Sequence, residues 1–321
     1  MPLYEIHPPI KNNNYFQMKT FIKITCCLLF SHVVANAQQE PQYTQNQFNS
    51  SLMINPAYAG KYDCGSIAAR YRTQWVGMNG RPSTAFITGE TKVLSPRLGI
   101  GINYYYDKLG IETNNHLDLN IAYHLPLNDK GLKLSIGLKG GFDGYRADFS
   151  KLVNVNPGDP LYGAPQKRFI PTVGVGSLLY NDRFYVGLSS PQLLNFESPS
   201  VGDKLVVPHF YLYGGVRFEI DDKIELRPAL LFKYQQQAPL EADIALNMWY
   251  AKTLGLGVAY RTQDAFNFMV QYKFRHVTFG YSYDMNVSGL RYFNAGTHEI
   301  FLGVDLCHKN TSIDDRVNTL R

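Results

Sequence analysis

Leu254-Gly255-Leu256-Gly257-Val258-Ala259-Tyr260 and Phe266-Asn267-Phe268-Met269-Val270-Gln271-Tyr272 decide the fold. In each run a large apolar residue alternates with a small or polar one. A period of two puts successive side chains on opposite faces of an extended strand. The same alternation recurs in both directions along the chain. Ile100, Ile102, Tyr104 and Tyr106 show it, as do Leu117 to Tyr123, Leu132 to Leu138 and Ile244 to Tyr250. About fourteen such segments follow one another, each near the 9–11 residues that a tilted strand needs to cross a bilayer. No helical period of 3.6 competes over a long window.

The links between segments carry a second regularity. After even segments they are short, as at Ser95-Pro96-Arg97, Asn181-Asp182 and Ala251-Lys252. After odd segments they are usually longer, with 147–171 and 190–208 the longest. Outer-membrane barrels have tight periplasmic turns and longer external loops. The apolar face also ends in Tyr or Trp on many segments, including Trp75, Tyr106, Tyr123, Tyr180, Tyr250 and Tyr272, as an interfacial girdle does. A soluble β-sandwich also alternates, but it explains neither the girdle nor the loop asymmetry. The expectation is an all-β fold: a transmembrane antiparallel β-barrel of about fourteen strands over 64–307, both termini periplasmic.

Composition agrees. Of 321 residues only 18% are charged and 14% are aromatic, against about a quarter charged in ordinary soluble domains. Plentiful aromatic and β-branched residues exclude disorder. The abundance of Gly, Tyr and Asn argues against a helical bundle. No apolar run of about 20 residues suits a membrane helix. The net charge of +5 comes without a Lys/Arg run, so no nucleic-acid partner is read from it.

Met18-Lys19-Thr20-Phe21-Ile22-Lys23, the apolar Ile24 to Val34 and Ala35-Asn36-Ala37 make a cleaved secretory signal peptide over 18–37. Residues 1–17 read as an upstream extension with the real start at Met18. The mature chain then has an N-terminal periplasmic segment, 38–63, ahead of the barrel, and a polar tail, 308–321. Its two cysteines are Cys64 at the start of the first strand and Cys307 at the end of the last. In a closed antiparallel barrel those strands are neighbours, both residues lie at one end, and their parities agree. A disulfide there needs only a register that brings the Cα atoms within about 4.4–6.8 Å, in an oxidising compartment.

Candidate chemistry is thin. None of the mature chain's histidines has metal-ligand spacing. Ser189-Ser190 does not sit in a nucleophile elbow. Gly99-Ile100-Gly101 and Gly255-Leu256-Gly257 read as lumen positions where bulk is excluded, not as phosphate loops. No enzyme, cofactor or metal is expected. Arg70, Arg72, Asp118, Lys139, Glu225, Arg227, Lys233, Asp243 and Lys273 fall on the polar face, as a mixed-charge lumen network or a permeation path.

Asn55-Pro56-Ala57-Tyr58-Ala59-Gly60 resembles the signature of the PorP/SprF family, outer-membrane proteins of the Bacteroidetes type IX secretion and gliding systems. The resemblance continues through Tyr71-Arg72-Thr73-Gln74-Trp75-Val76-Gly77, Gly80-Arg81-Pro82 and Gly280-Tyr281-Ser282-Tyr283-Asp284, and covers essentially the whole mature chain. It implies a non-enzymatic barrel in the outer membrane. Its partners would be secretion components and the C-terminal domain of a secreted protein such as a large adhesin. Asn55, Pro56, Ala57, Tyr58, Gly60, Arg72, Gln74 and Trp75 are its motif residues and candidates for docking a partner. Asn55 to Gly60 read equally as a plug or docking element and as a structural turn, since Pro56 and Gly60 are turn residues. The alternative function is a passive porin for small solutes.

Overall fold

The computed structural model describes residues 52–151, 165–194, 196–197, 204–206, 208–236 and 238–306. The upstream extension, the signal peptide, Cys307 and the polar tail lie outside the described residues.

Fourteen strands form the wall. They are β1 (Ser66–Thr73), β2 (Ser83–Lys92), β3 (Leu98–Leu109), β4 (Glu112–Pro126), β5 (Lys133–Ala147), β6 (Gln166–Tyr180) and β7 (Phe184–Ser190). β8 (His209–Val216) resumes as Phe218–Glu219. β9 (Ile224–Gln235), β10 (Glu241–Tyr250), β11 (Leu254–Arg261), β12 (Ala265–Phe274), β13 (Val277–Asn286) and β14 (Thr297–Asp305) complete the set. Each strand pairs antiparallel with its chain neighbours, and β1 closes the ring on β14, with Ser66 opposite Asp305 and Thr73 opposite His298. Full closure removes every barrel edge along this seam. A two-stranded ribbon, Phe196–Glu197 with Lys204–Val206, stands apart from the wall.

β1 begins and β14 ends at one mouth, here the terminal mouth; the other is the far mouth. The alternation sorts as a membrane barrel requires. Ile102, Leu119, Ile136, Leu246 and Leu256 face outward, and the buried positions beside them are small, polar or charged: Gly101 and Asn103, Asp118 and Asn120, Ser135 and Gly137, Ala245 and Asn247, Gly255 and Gly257. Tyr104, Tyr106, Tyr123, Tyr250 and Tyr272 also face outward. Leu256→Arg on this lipid face should therefore cost about 2–4 kcal/mol of barrel stability. A urea titration of the protein refolded into liposomes measures it, and an unchanged midpoint would overturn the face assignment.

Two details depart from the sequence reading. Tyr180, assigned to the outer girdle, is buried in the lumen, because the even residues of β6 point inward. β6 also begins at Gln166, not near Thr172. Pro171 reads as a strand breaker, but Val173 shares its edge and receives only the amide of Leu193 there (2.8 Å). β7 ends at Ser190, so beyond Val173 the missing Pro171 N–H falls where no ladder bond is needed. Pro228 in β9 works similarly: the β8 ladder lapses at Val216, opposite it, and at Arg217, and resumes at Phe218 in the same register.

Candidate functional site: a plugged lumen

The segment ahead of β1 does not stay outside the barrel. Leu52, Ile54, Asn55, Ala57, Tyr58, Ala59 and Lys61 are all buried against the inner wall of β3 to β8. Pro56–Tyr58 is one turn of 3-10 helix. Proline fits its first position because no amide is needed there. Asn55 caps it, its Oδ1 accepting from Ala57 N (2.8 Å). The other end of the same amide donates to Ser177 O and to Tyr213 Oη, both at 2.9 Å. One fully buried side chain thus closes the turn and fastens it to β6 and β8. Further ties run from Ser189 Oγ to Ile54 O (2.7 Å), from Asn103 Nδ2 to Leu52 O (3.3 Å) and from Gly60 N to Glu90 Oε2 (3.2 Å). His124 Nε2 donates to Ala59 O (2.8 Å), while its Nδ1 accepts from Tyr180 Oη (3.0 Å).

The wall is hollowed to receive this turn. A Cβ on Gly99 would collide with the Ala59 carbonyl, one on Gly137 with the Ala57 amide, and one on Gly176 with the Asn55 side chain. A Cβ on Gly101 would press on Leu52 Cδ2 at 2.8 Å. Gly60 answers from the plug side: its φ is +68°, and a Cβ would lie 2.5 Å from Gly99 Cα. Both conformation and space demand glycine there.

Lys61 ends the plug. Its Nζ lies 4.8 Å from the ring centre of Tyr58 and 5.3 Å from those of Tyr62, Tyr180 and Tyr185. Cation–π attraction of this kind strengthens on desolvation. Burial pulls the ammonium pKa from 10.5 down to about 7, against the opposing pull of Glu90 and with help from Arg227. The unfolded chain therefore holds a proton that folded Lys61 releases between about pH 7 and 10, so stability should rise with pH across that window and stay flat below it. Lys61→Met should abolish this part of the rise in urea midpoints measured across the window. An identical slope in the variant would exclude Lys61 as its source.

Away from the plug the lumen holds two groups of ion pairs, one on β1 and β9 to β14 and one on β4 and β5. Arg72 on β1 reaches Asp284 on β13 (2.6 Å) and Glu299 on β14 (3.2 Å). Arg261 reaches Asp243 (3.1 Å), Asp264 (3.0 Å) and Asp284 (3.6 Å), and Lys233 reaches Glu241 (3.2 Å). On β4 and β5, His116 lies between Asp118 and Asp143, Lys139 pairs with Asp118 (2.6 Å), and Thr172 Oγ1 donates to Asp118 Oδ1 (3.0 Å). Ser189 and Ser190 spend their hydroxyls on the backbone carbonyls of Ile54 and Gln192.

Gln74 and Trp75 sit in the β1–β2 loop at the far mouth. Gln74 N donates to Pro82 O (2.9 Å), and Trp75, at φ 50°, donates its amide to Thr297 Oγ1 (3.3 Å). Val76 and the β13–β14 loop exchange backbone bonds through Gly296 O (2.9 Å) and Ala295 N (2.8 Å). The motif residues therefore fall in three places. Asn55 to Gly60 form the plug, Arg72 anchors the ion-pair chain, and Gln74 and Trp75 brace two far-mouth loops. Glu90, His116, Asp143, Arg261, Asp284 and Glu299 belong to these networks; Asp284 and Glu299 fell in stretches of the family resemblance with no role assigned, and sequence reading did not single out the other four. Inward strand parity was the signal that could have found them.

No curated protein matches the chain. Among solved structures it is similar to a Pseudomonas aeruginosa FadL homologue (11% identity, 85% of this chain and 96% of that one, TM-score 0.48). It is also similar to outer membrane phospholipase A from Escherichia coli (13%, 77% and 93%, TM-score 0.37) and to Omp33 of Acinetobacter baumannii (9%, 76% and 98%, TM-score 0.43). The family model for the type IX secretion system membrane protein PorP/SprF matches residues 35–304, the plug and all but the last residue of the wall. The chain belongs to the PorP/SprF family of type IX secretion system membrane proteins, as a membrane-embedded β-barrel of outer-membrane type.

Proposed function

We propose that this barrel is a non-enzymatic accessory of type IX secretion. It helps export, or hold at the surface, a secreted protein such as a large adhesin, engaging secretion components and the substrate's C-terminal domain. Its two termini lie on the periplasmic side. The observation that carries this reading is the lumen filled by the chain's own Leu52–Lys61 in a glycine-lined seat. A passive porin needs a continuous aqueous path, and a packed plug opposes one. Deleting the gene should remove one or a few proteins from the cell surface and leave nutrient uptake unchanged. An intact surface proteome with altered solute uptake would instead favour the porin.

We also infer a bond between Cys64 and Cys307. Cys64 is disulfide-bonded. Ser66 stands opposite Asp305, and Leu306 N donates to Gly65 O (2.7 Å), so the register carried one step further sets 307 against 64. Such a bond would clasp the one strand pair that no hairpin joins. Peptide mapping without reductant should recover both cysteines in one linked peptide, and two alkylatable thiols in fresh membranes would exclude the bond.

A further inference from the structure

On the outer face of β3 to β6 the outward residues change in one order toward the far mouth. On β3, Ile102 gives way to Tyr106 and then Lys108. On β5, Leu138 gives way to Phe142 and Arg146, and on β6, Val173 gives way to Phe169 and Lys167. The register sets the three cations at one level. Lys108 stands opposite Thr113, Thr113 opposite Arg146, and Arg146 opposite Lys167. Neighbouring strands lie about 4.8 Å apart, so the row is roughly 14 Å wide. All three cations are exposed. The acidic residues nearest in the chain are turned elsewhere. Asp107 accepts from Thr84 Oγ1 on the lumen side, Glu112 bonds the Tyr145 hydroxyl, and Arg146 Nη2 reaches Asp148 at 3.7 Å. Elsewhere on this rim the outward positions carry Leu188, Phe210, Tyr234 and Phe266. The cations therefore form a patch above the aromatic girdle, where Phe169 is 70% exposed and stacks on Phe142. Long basic side chains at this height carry their charge to the level of lipid headgroups.

A second observation lies below the row. The outer wall of β1 to β6 is indented by an apolar hollow of about 700 Å³. Bulk is missing there because Gly89 and Gly140 stand on the lipid face among Ile67, Ile102, Leu119 and Leu138. A Cβ on Gly140 would meet nothing within 4 Å. Gly140 and Arg146 lie on the same face of β5, roughly 20 Å apart at the strand rise. At a tilt of about 40° this is roughly 15 Å along the membrane normal, about half the thickness of the hydrocarbon core. A hydrocarbon chain hanging from a headgroup at the cation row therefore reaches the hollow.

We propose that this face of the wall is a binding site for a phosphate-bearing membrane lipid, with Lys108, Arg146 and Lys167 taking the headgroup phosphate and the hollow beside Gly140 taking an acyl chain. The Arg146 fork matches phosphate oxygens. The two lysines add point charges on flexible stems, one on either side of it. The charge of the row complements the headgroup, and the hollow continues the lipid-facing wall. The site needs only a lipid leaflet at the far mouth, so it stands independently of the secretion role and of the side on which the termini lie.

Native mass spectrometry of the full mature barrel, held in an uncharged detergent with added dioleoyl phosphatidic acid, tests this. At least one such lipid should stay bound, with dioleoyl phosphatidylcholine held at least tenfold more weakly and glycerol 3-phosphate not retained. Combining Lys108→Gln, Arg146→Gln and Lys167→Gln should reduce retention by tenfold or more. Gly140→Leu should reduce it severalfold with all three cations in place, and the open space at Gly140 lets that variant fold. Lys130→Gln with Arg183→Gln, in exposed turns at the terminal mouth, should change nothing. Equal retention of the choline lipid would overturn the proposal, as would retention of glycerol 3-phosphate, which would mark an anion patch without a chain site. Polyglutamate held as tightly as the lipid would assign the row to an acidic protein instead. An undiminished signal in the triple variant or in Gly140→Leu would also overturn it.

Discussion

A mature barrel lacking residues 38–62 should conduct ions in planar bilayers under conditions where the full-length protein is silent. The plug buries Leu52, Met53, Ile54 and Tyr58. At about 1.5–3 kcal/mol for each fully buried large apolar side chain, these four contribute roughly 6–12 kcal/mol gross to holding the segment in place. Its hydrogen bonds to Ser177, Tyr213, Ser189 and His124 add orientation. A segment held so strongly should not be released by thermal fluctuation, so the intact lumen should stay shut. Gly137→Leu attacks the same contact without truncation, because its side chain would occupy the place of Ala57. That variant should either open the lumen or lose the folded, heat-modifiable form. Steady conduction by the full-length protein, unchanged by Gly137→Leu, would mean that the plug does not seal the barrel.

The wall was legible in the sequence because a strand with one face in lipid and one in the lumen must alternate at every position. β10, β11 and β12 show that rule with few exceptions. Chain closure was legible from the even count, and the β1–β14 register agrees with it. The plug was not. Asn55-Pro56-Ala57-Tyr58 has the composition of any turn, and a turn at a mouth and a turn inside a lumen use the same residues. What distinguishes them lies far away, in Gly99, Gly137 and Gly176, whose missing side chains make the seat. Alternation identified such glycines only as places where bulk is excluded, and the excluding partner is revealed only when the chain folds back. Tyr180 failed for a related reason. Tyrosine suits a membrane interface and a cation cage equally well, and the Lys61 cage claims it.

The second large effect should come from Arg72, which joins the first strand to the last two. Arg72→Met should cost about 3–5 kcal/mol, the usual penalty when one partner of a buried ion pair is removed. The loss falls unevenly on its two acceptors. Asp284 keeps Arg261 at 3.6 Å, while Glu299 loses the guanidinium that lies 3.2 Å from its Oε2. Arg72→Lys should recover only part of the loss, since a single ammonium cannot replace a fork that reaches Asp284 and Glu299 from two different nitrogens. Glu299→Gln placed on Arg72→Met should restore stability relative to Arg72→Met alone, because it removes a buried charge that has lost one of its cations. A double-mutant cycle of urea midpoints in liposomes measures all three changes. If Glu299→Gln gives the same increment with or without Arg72, the two residues are not coupled. The seam would then depend on its backbone ladder, with the ion-pair chain contributing little to closure.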